Sequence, residues 1–218
     1  MVTPAELVKA AKERSVDLIA VTDHDTMRAT RETRELGEAV GLTVVEGQEV
    51  TTAWPAQTHI IGWYLTKPVK SGMSLADTVA AIDDQGGLVI VPHPFMPVYF
   101  GSMQPRMLER LIDKHSVDGI EMLSTVPMGS RRRKLLADFY EAHKQRLGAV
   151  IGASDCHFGA HDMARKLTRY EGDFRTAVEQ RTTVPVDGRR TRIPGGLAAR
   201  QQWRALVDLP IRRLRRLV

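Results

Sequence analysis

The chain contains a single cysteine, Cys156. That excludes an internal disulfide and a metal site built from thiolates alone, so packing must hold the fold together. No apolar run approaches the roughly 18 residues that a membrane span requires. The opening Met-Val-Thr-Pro-Ala-Glu lacks both the basic and the apolar stretch of a secretory signal, so a cytoplasmic location is expected. There is no internal repeat and no low-complexity segment. What remains is a composition with 43% hydrophobic and 26% charged residues over 218 positions. It suits one sizeable soluble core and excludes disorder, collagen and coiled coil.

The formal charge of +5 is unevenly placed. Residues 189–218 hold nine arginines against one acid, Asp208, which leaves 22 basic and 25 acidic side chains in residues 1–188. The body is therefore mildly acidic, and a basic tail sets the overall sign. Two units are expected: a domain over 1–188, and a linker and tail over 189–218.

Periodicity predicts an alternation of strands and helices. Thr3, Pro4 and Glu6 read as the N-cap, first helical position and capping-box acid of a helix ending near Arg14. Short apolar runs at 17–22, 42–45, 58–63, 88–91, 119–123 and 149–152, with a weaker one at 182–186, read as strands. Helices are expected at 28–40, 75–85, 105–114 and 131–146. Strands separated by helices of about 10 to 15 residues imply βαβ units around a parallel sheet or barrel.

Chemistry-bearing residues gather where those strands end. Asp23-His24-Asp25 follows the first strand, Glu49 the second and Pro92-His93-Pro94 the fourth; Ser154-Asp155-Cys156-His157 follows the sixth. His59 and Glu121 lie on strands of their own. Parallel α/β architectures place their sites at that end of the sheet. Imidazole with carboxylate suits zinc, manganese or iron, and the absence of thiolates points to a hydrolytic centre that keeps water as a ligand. The period of two in extended chain places Asp155 and His157 on one side, with Cys156 on the other. Asp23 or Asp25 is expected either to orient a metal-bound histidine or to protonate a leaving alkoxide. His115 and His143 read as surface residues, and His161, four residues after His157, reads either as a polar loop residue or as one that reaches the site from its loop.

Taken together, Thr22-Asp23-His24-Asp25, Gly47-Gln48-Glu49, His59-Ile-Ile-Gly62, the run from Gly86 to Pro94, Asp118-Gly-Ile-Glu121 and Ser154 to His157 resemble the PHP family, the polymerase and histidinol phosphatase superfamily. The motifs stand in family order over about Thr3 to Arg169. The resemblance implies a distorted TIM-like (βα)7 barrel with two or three divalent metal ions at its mouth, and hydrolysis of phosphate esters. Substrates would range from small phosphomonoesters and nucleotides to short oligonucleotides. Carried over, Glu49 would bridge two metals, His59 and His93 would complete one site, and His24 and His157 would bind a second metal. Asp155 would bind the metal that shares Glu49. Asp25 and Glu121 match motif positions without an expected ligand role.

The chain departs from the family at its start. The family's first strand, with a His-x-His motif and a further ligand, precedes the Thr-Pro-x-Glu-Leu helix, whereas Met1 stands at that helix here. The barrel is therefore expected to lack its first strand and about three ligands, and Met1 reads as an internal methionine of a longer frame. The rival expectation is a catalytically degenerate PHP domain used as a binding or structural module.

Two basic segments remain. Ile211, Leu214 and Leu217, with arginines between them, predict a short amphipathic helix in the tail. It would pack on the barrel or contact an anionic membrane surface or nucleic acid. Arg131-Arg-Arg-Lys134 opens a helix against its dipole, reads as a solvated face and has no role in helix stability. Substrate selectivity is expected in the loop 95–104.

Overall fold

The computed structural model describes residues 2–96, 101–115, 117–125, 127–158, 161–190 and 195–196. In chain order these form α1 (Pro4–Glu13), β1 (Leu18–Val21), α2 (Thr30–Glu38), β2 (Thr43–Thr51), β3 (His59–Trp63), α3 (Leu75–Asp83) and β4 (Leu88–Val91). α4 (Pro105–Ile112), β5 (Gly119–Ser124), α5 (Ser130–Leu147), β6 (Ala149–Ala153), β7 (Lys166–Arg169), α6 (Phe174–Glu179) and β8 (Val184–Asp187) follow. The expected capping box closes α1, with Thr3 Oγ1 accepting from Glu6 N and the Glu6 carboxylate accepting from Thr3 N. The tail helix expected over 211–217 lies outside the described residues, as does the middle of the loop 95–104.

Six strands form one sheet in sequence order, β1 to β6. It is not wholly parallel, as the alternation implied: β3 runs antiparallel to both β2 and β4. The cause is connection length, because residues 52–58 alone separate β2 from β3, and a parallel crossover needs a dozen or more residues. The reversal matters for the site. It brings the first residue of β3, His59, to the edge where β1, β2, β4, β5 and β6 end.

Alternate strand residues serve the two faces of the sheet. Ile60, Val89, Val91 and Ile120 face α3, α4 and α5, forming with Leu108, Ile112 and Leu136 a dry core. Ile61, Leu88, Ile90 and Ile151 face the other way, joined by Leu18 and Ala20 of β1 and Ala153 of β6. Side chains of the first and last strands also line one cavity of about 550 Å3. The sheet is therefore curled into a half-barrel. Of the (βα)7 barrel lacking its first strand that the resemblance implies, the described residues form the α/β half-barrel, an open six-stranded curl with one reversed strand.

β7 and β8 make a separate antiparallel pair beside β6. Thr168 Oγ1 accepts from Gly152 N and donates to Gly152 O, and Thr183 Oγ1 donates to Val150 O. A Cβ on Gly152 would stand 2.2 Å from Leu167 O, so the close approach requires glycine there. Among the described residues no helix is long and apolar enough to cross a membrane.

Candidate metal centre

Glu49 is the hub. It lies near the end of β2, only 5% exposed, and histidines approach both carboxylate oxygens. His59 Nδ1 stands 2.7 Å and His93 Nε2 3.1 Å from Oε1, while His24 Nε2 stands 3.7 Å from Oε2. One donor atom from each of His24, Glu49 and His59 falls within 4.8 Å of the others. Hard carboxylate and borderline imidazole donors in one cluster fit a divalent ion such as zinc, manganese or iron.

Backbone geometry delivers each ring. β1 continues past Val21 as a ladder extension, with Glu49 N donating to Asp23 O, Asp25 N donating to Glu49 O, and His24 bridging Glu49 in parallel register. Asp25 adopts φ 56° and its Oδ1 accepts from Thr51 N. That carboxylate therefore pins the end of β2. Asp23 is exposed at the mouth, beside His24 and His157.

His93 is held through both its backbone N–H and its carbonyl. Glu121 Oε2 accepts from His93 N at 2.9 Å, and Ser102 Oγ donates to His93 O at 2.8 Å. These bonds offset a left-handed φ of 31° at His93. His59 N donates to Gly101 O, and Gly101, at φ +86°, packs against the imidazole. A Cβ there would meet the His59 ring at 2.2 Å.

The second limb sits on the loop after β6. His157 Nε2 lies 3.0 Å from Asp155 Oδ1, and the His157 ring stacks near His24 with centroids 6.1 Å apart. Extended chain was expected from Asp155 to His157, but Asp155 has φ 46° and the segment turns. Asp162 explains the turn: its carboxylate accepts from Cys156 Sγ, His157 N and Phe158 N. Asp155 and His157 still meet, while Cys156 gives its Sγ to Asp162 and lines the same cavity as they do.

Electrostatics follow this geometry. Burial raises the Glu49 carboxyl, but hydrogen bonds from His59 and His93 and the nearby imidazoles outweigh it and hold the group below the usual carboxylate range. Burial likewise opposes ionisation of Asp155, and the bond to His157 reverses the balance downward. His157 is pushed up to about 9, chiefly by that same bond. Burial lowers His24 and raises Asp23. Fully enclosed Glu121 is raised to about 7 by burial.

Sequence reasoning missed the grip of Glu121 and Ser102 on the His93 backbone, the organising role of Asp162 and the packing of Gly101 on His59. Glu121 and Asp162 carried a signal, as acids near motif histidines. Gly101 and Ser102 carried none. His161 is exposed, whereas His115 and His143 are half-buried and His143 rests on the Phe139 ring.

The curled α/β sheet with histidines and carboxylates along one edge has the fold of PHP-like metal-dependent phosphoesterases. The solved structure of a two-domain protein containing a predicted PHP-like metal-dependent phosphoesterase, from Bacteroides vulgatus, superposes with a TM-score of 0.67. It is 20% identical, over 86% of this chain and 61% of that one. Among curated sequences, an uncharacterized protein of Methanocaldococcus jannaschii is 34% identical over 121 residues, 56% of this chain. A 5'-3' exoribonuclease of Haemophilus influenzae is 28% identical over 91 residues, 41% of this chain. The matched stretches span 66% and 33% of those two relatives' lengths. No protein-family model matches the chain.

Proposed function

We propose that the chain is a metal-dependent hydrolase of phosphate esters with a multinuclear centre. Glu49 would bridge the ions. His59 and His93 would complete one position and His24 and His157 another, and Asp155 would join the metal that shares Glu49. The single observation that carries this reading is the division of Glu49: His59 and His93 meet one oxygen, His24 the other. A carboxylate contacted from both oxygens by separate imidazole sets is suited to two cations. When bound, such cations polarise the phosphoryl group and activate water.

The protein's own groups supply the rest. Asp23, exposed at the mouth with a raised pKa, is placed to hold a proton for the leaving alkoxide. Asp25 is committed to Thr51 N and positions the strand end that carries Glu49. Glu121 and Ser102 fix the His93 backbone, and Gly101 fixes the His59 ring. The similarity to a 5'-3' exoribonuclease and to a PHP-like phosphoesterase supports phosphate esters, oligonucleotides among them, as substrates.

The test pairs metal analysis with hydrolysis of a generic phosphodiester such as bis-p-nitrophenyl phosphate, after chelation and reloading. The parent is expected to bind two or more ions and to hydrolyse the diester only when loaded. His93→Ala should lose metal at its position together with activity. A parent that binds one ion or none and is inactive would instead be a binding or structural module.

A further inference from the structure

We infer that the mouth of the half-barrel carries a single-stranded nucleic-acid surface, with phosphates running over Arg131, Arg132 and Lys134 and a base stacked on Trp54. The inference rests on the phosphoester reading and names the substrate class for that site.

A basic run opens α5. Arg131 to Lys134 form the first turn of α5, which holds no acidic residue, and cations there oppose the helix dipole. The structure shows what this run faces. Arg131, Arg132 and Lys134 line an open groove of about 690 Å3 together with Gln104 and Pro105 at the start of α4. Asp138, paired with Lys134, is the acid in that lining, so the groove keeps an excess of two positive charges. Arg131 has no ion pair among the described residues.

Topology places this groove beside the metal centre. α4 and α5 follow β4 and β5, so both begin at the sheet edge where His93 and Glu121 lie. The two sites are linked through the loop after β4, since Arg132 Nη1 donates to Phe95 O, two residues beyond His93. Gln104 Nε2 donates to Met96 O in the same loop.

The aromatic partner comes from the hairpin between β2 and β3, which projects from that edge between Glu49 and His59. Trp54 at its tip is 80% exposed, the most exposed of the large hydrophobic residues described. The hairpin touches α4 through Thr58 Oγ1 and Met107 Sδ, 3.5 Å apart, so the segment that carries Trp54 runs between Glu49 and His59 and reaches the helix whose start lines the cationic groove. A cationic track with an exposed aromatic platform is the arrangement by which proteins hold single strands without reading sequence. A small phosphomonoester would use neither feature.

The experiment measures fluorescence anisotropy of a labelled short oligothymidylate against the full chain, in EDTA and over a range of salt. Chelation makes the readout independent of hydrolysis. The parent should bind, with affinity falling as salt rises. Trp54→Ala should weaken binding roughly 5- to 100-fold, and Trp54→Phe should recover most of that loss. The double variant Arg131→Glu, Lys134→Glu should reduce the slope of log affinity against log salt by about 0.7 for each phosphate no longer neutralised. Circular dichroism and melting temperature confirm that each variant is folded. No binding by the parent, unchanged binding by both variants, or a duplex held as tightly as the single strand would overturn the inference. A chain that binds through Trp54 but hydrolyses no phosphate ester would overturn the proposed function and leave this surface standing.

Discussion

The two limbs of the candidate metal centre are built differently. Glu49 and His59 lie on strands and His93 directly follows one, all buried at 5% exposure or less. Asp155 and His157 lie on a turn held by one carboxylate, and the His157 side chain is 32% exposed. The strand-borne limb gets its geometry from sheet register and core packing, whereas the loop-borne limb gets it from the bonds to Asp162. Rigid elements fix ligand positions more tightly than loops do. The strand limb should therefore set metal affinity, and the loop limb should adjust to what is bound.

Substitutions can break that contrast. The largest effect is expected from Glu49→Ala, which removes the common partner of three histidines and should abolish metal uptake by calorimetry. Gly101→Ala comes next, because the new methyl must push the His59 ring or the backbone at φ +86°. It should cost about 1–3 kcal/mol of stability and roughly 10–100-fold in metal affinity, as loss of ligand orientation does. Asp162→Ala frees two backbone amides and should cost about 1–3 kcal/mol in thermal unfolding. Its affinity loss should fall below that of Gly101→Ala; a larger loss would place the dominant limb on the loop.

A smaller effect should appear with pH. Folded His157 keeps its proton to about 9 against 6.5 for the ordinary imidazole, and Glu121 keeps its proton to about 7 against 4.5. In both cases the folded state binds the extra proton, so stability declines as pH rises through the folded value. The depressed Glu49 and Asp155 contribute fully above the ordinary carboxylate range and do not oppose this trend at neutral pH. Lowered His24 works the other way up to its ordinary 6.5, so the metal-free chain should lose stability chiefly from about pH 7 to 9 in denaturant titrations. Metal must displace the His157 proton, so affinity should rise over the same range. Glu121→Gln should remove the acidic part of the stability slope with the smallest change in affinity, since an amide oxygen still accepts from His93 N.

The legible parts of the sequence were those with local signals. The capping box of α1, the apolar runs of β1 to β6 and the histidines at their ends could all be read from residue types and period. β7 was missed because Lys-Leu-Thr-Arg offers one apolar residue, and α6 because six residues are too few to establish a period. The reversed β3 was hidden by motif order, although the short 52–58 connection held the information. The turn at Asp155 depends on Asp162, and the fit of Gly101 to His59 depends on tertiary packing. Neither arrangement has a local pattern.

The central claim is that one carboxylate serves two cations. Metal content of the reconstituted parent and of Glu49→Gln, measured by inductively coupled plasma mass spectrometry, tests it most directly. Two or more equivalents in the parent and loss of both Glu49-dependent ions in the variant are predicted. Loss of only one ion on that substitution, or a parent that holds a single ion, would contradict the shared-carboxylate account.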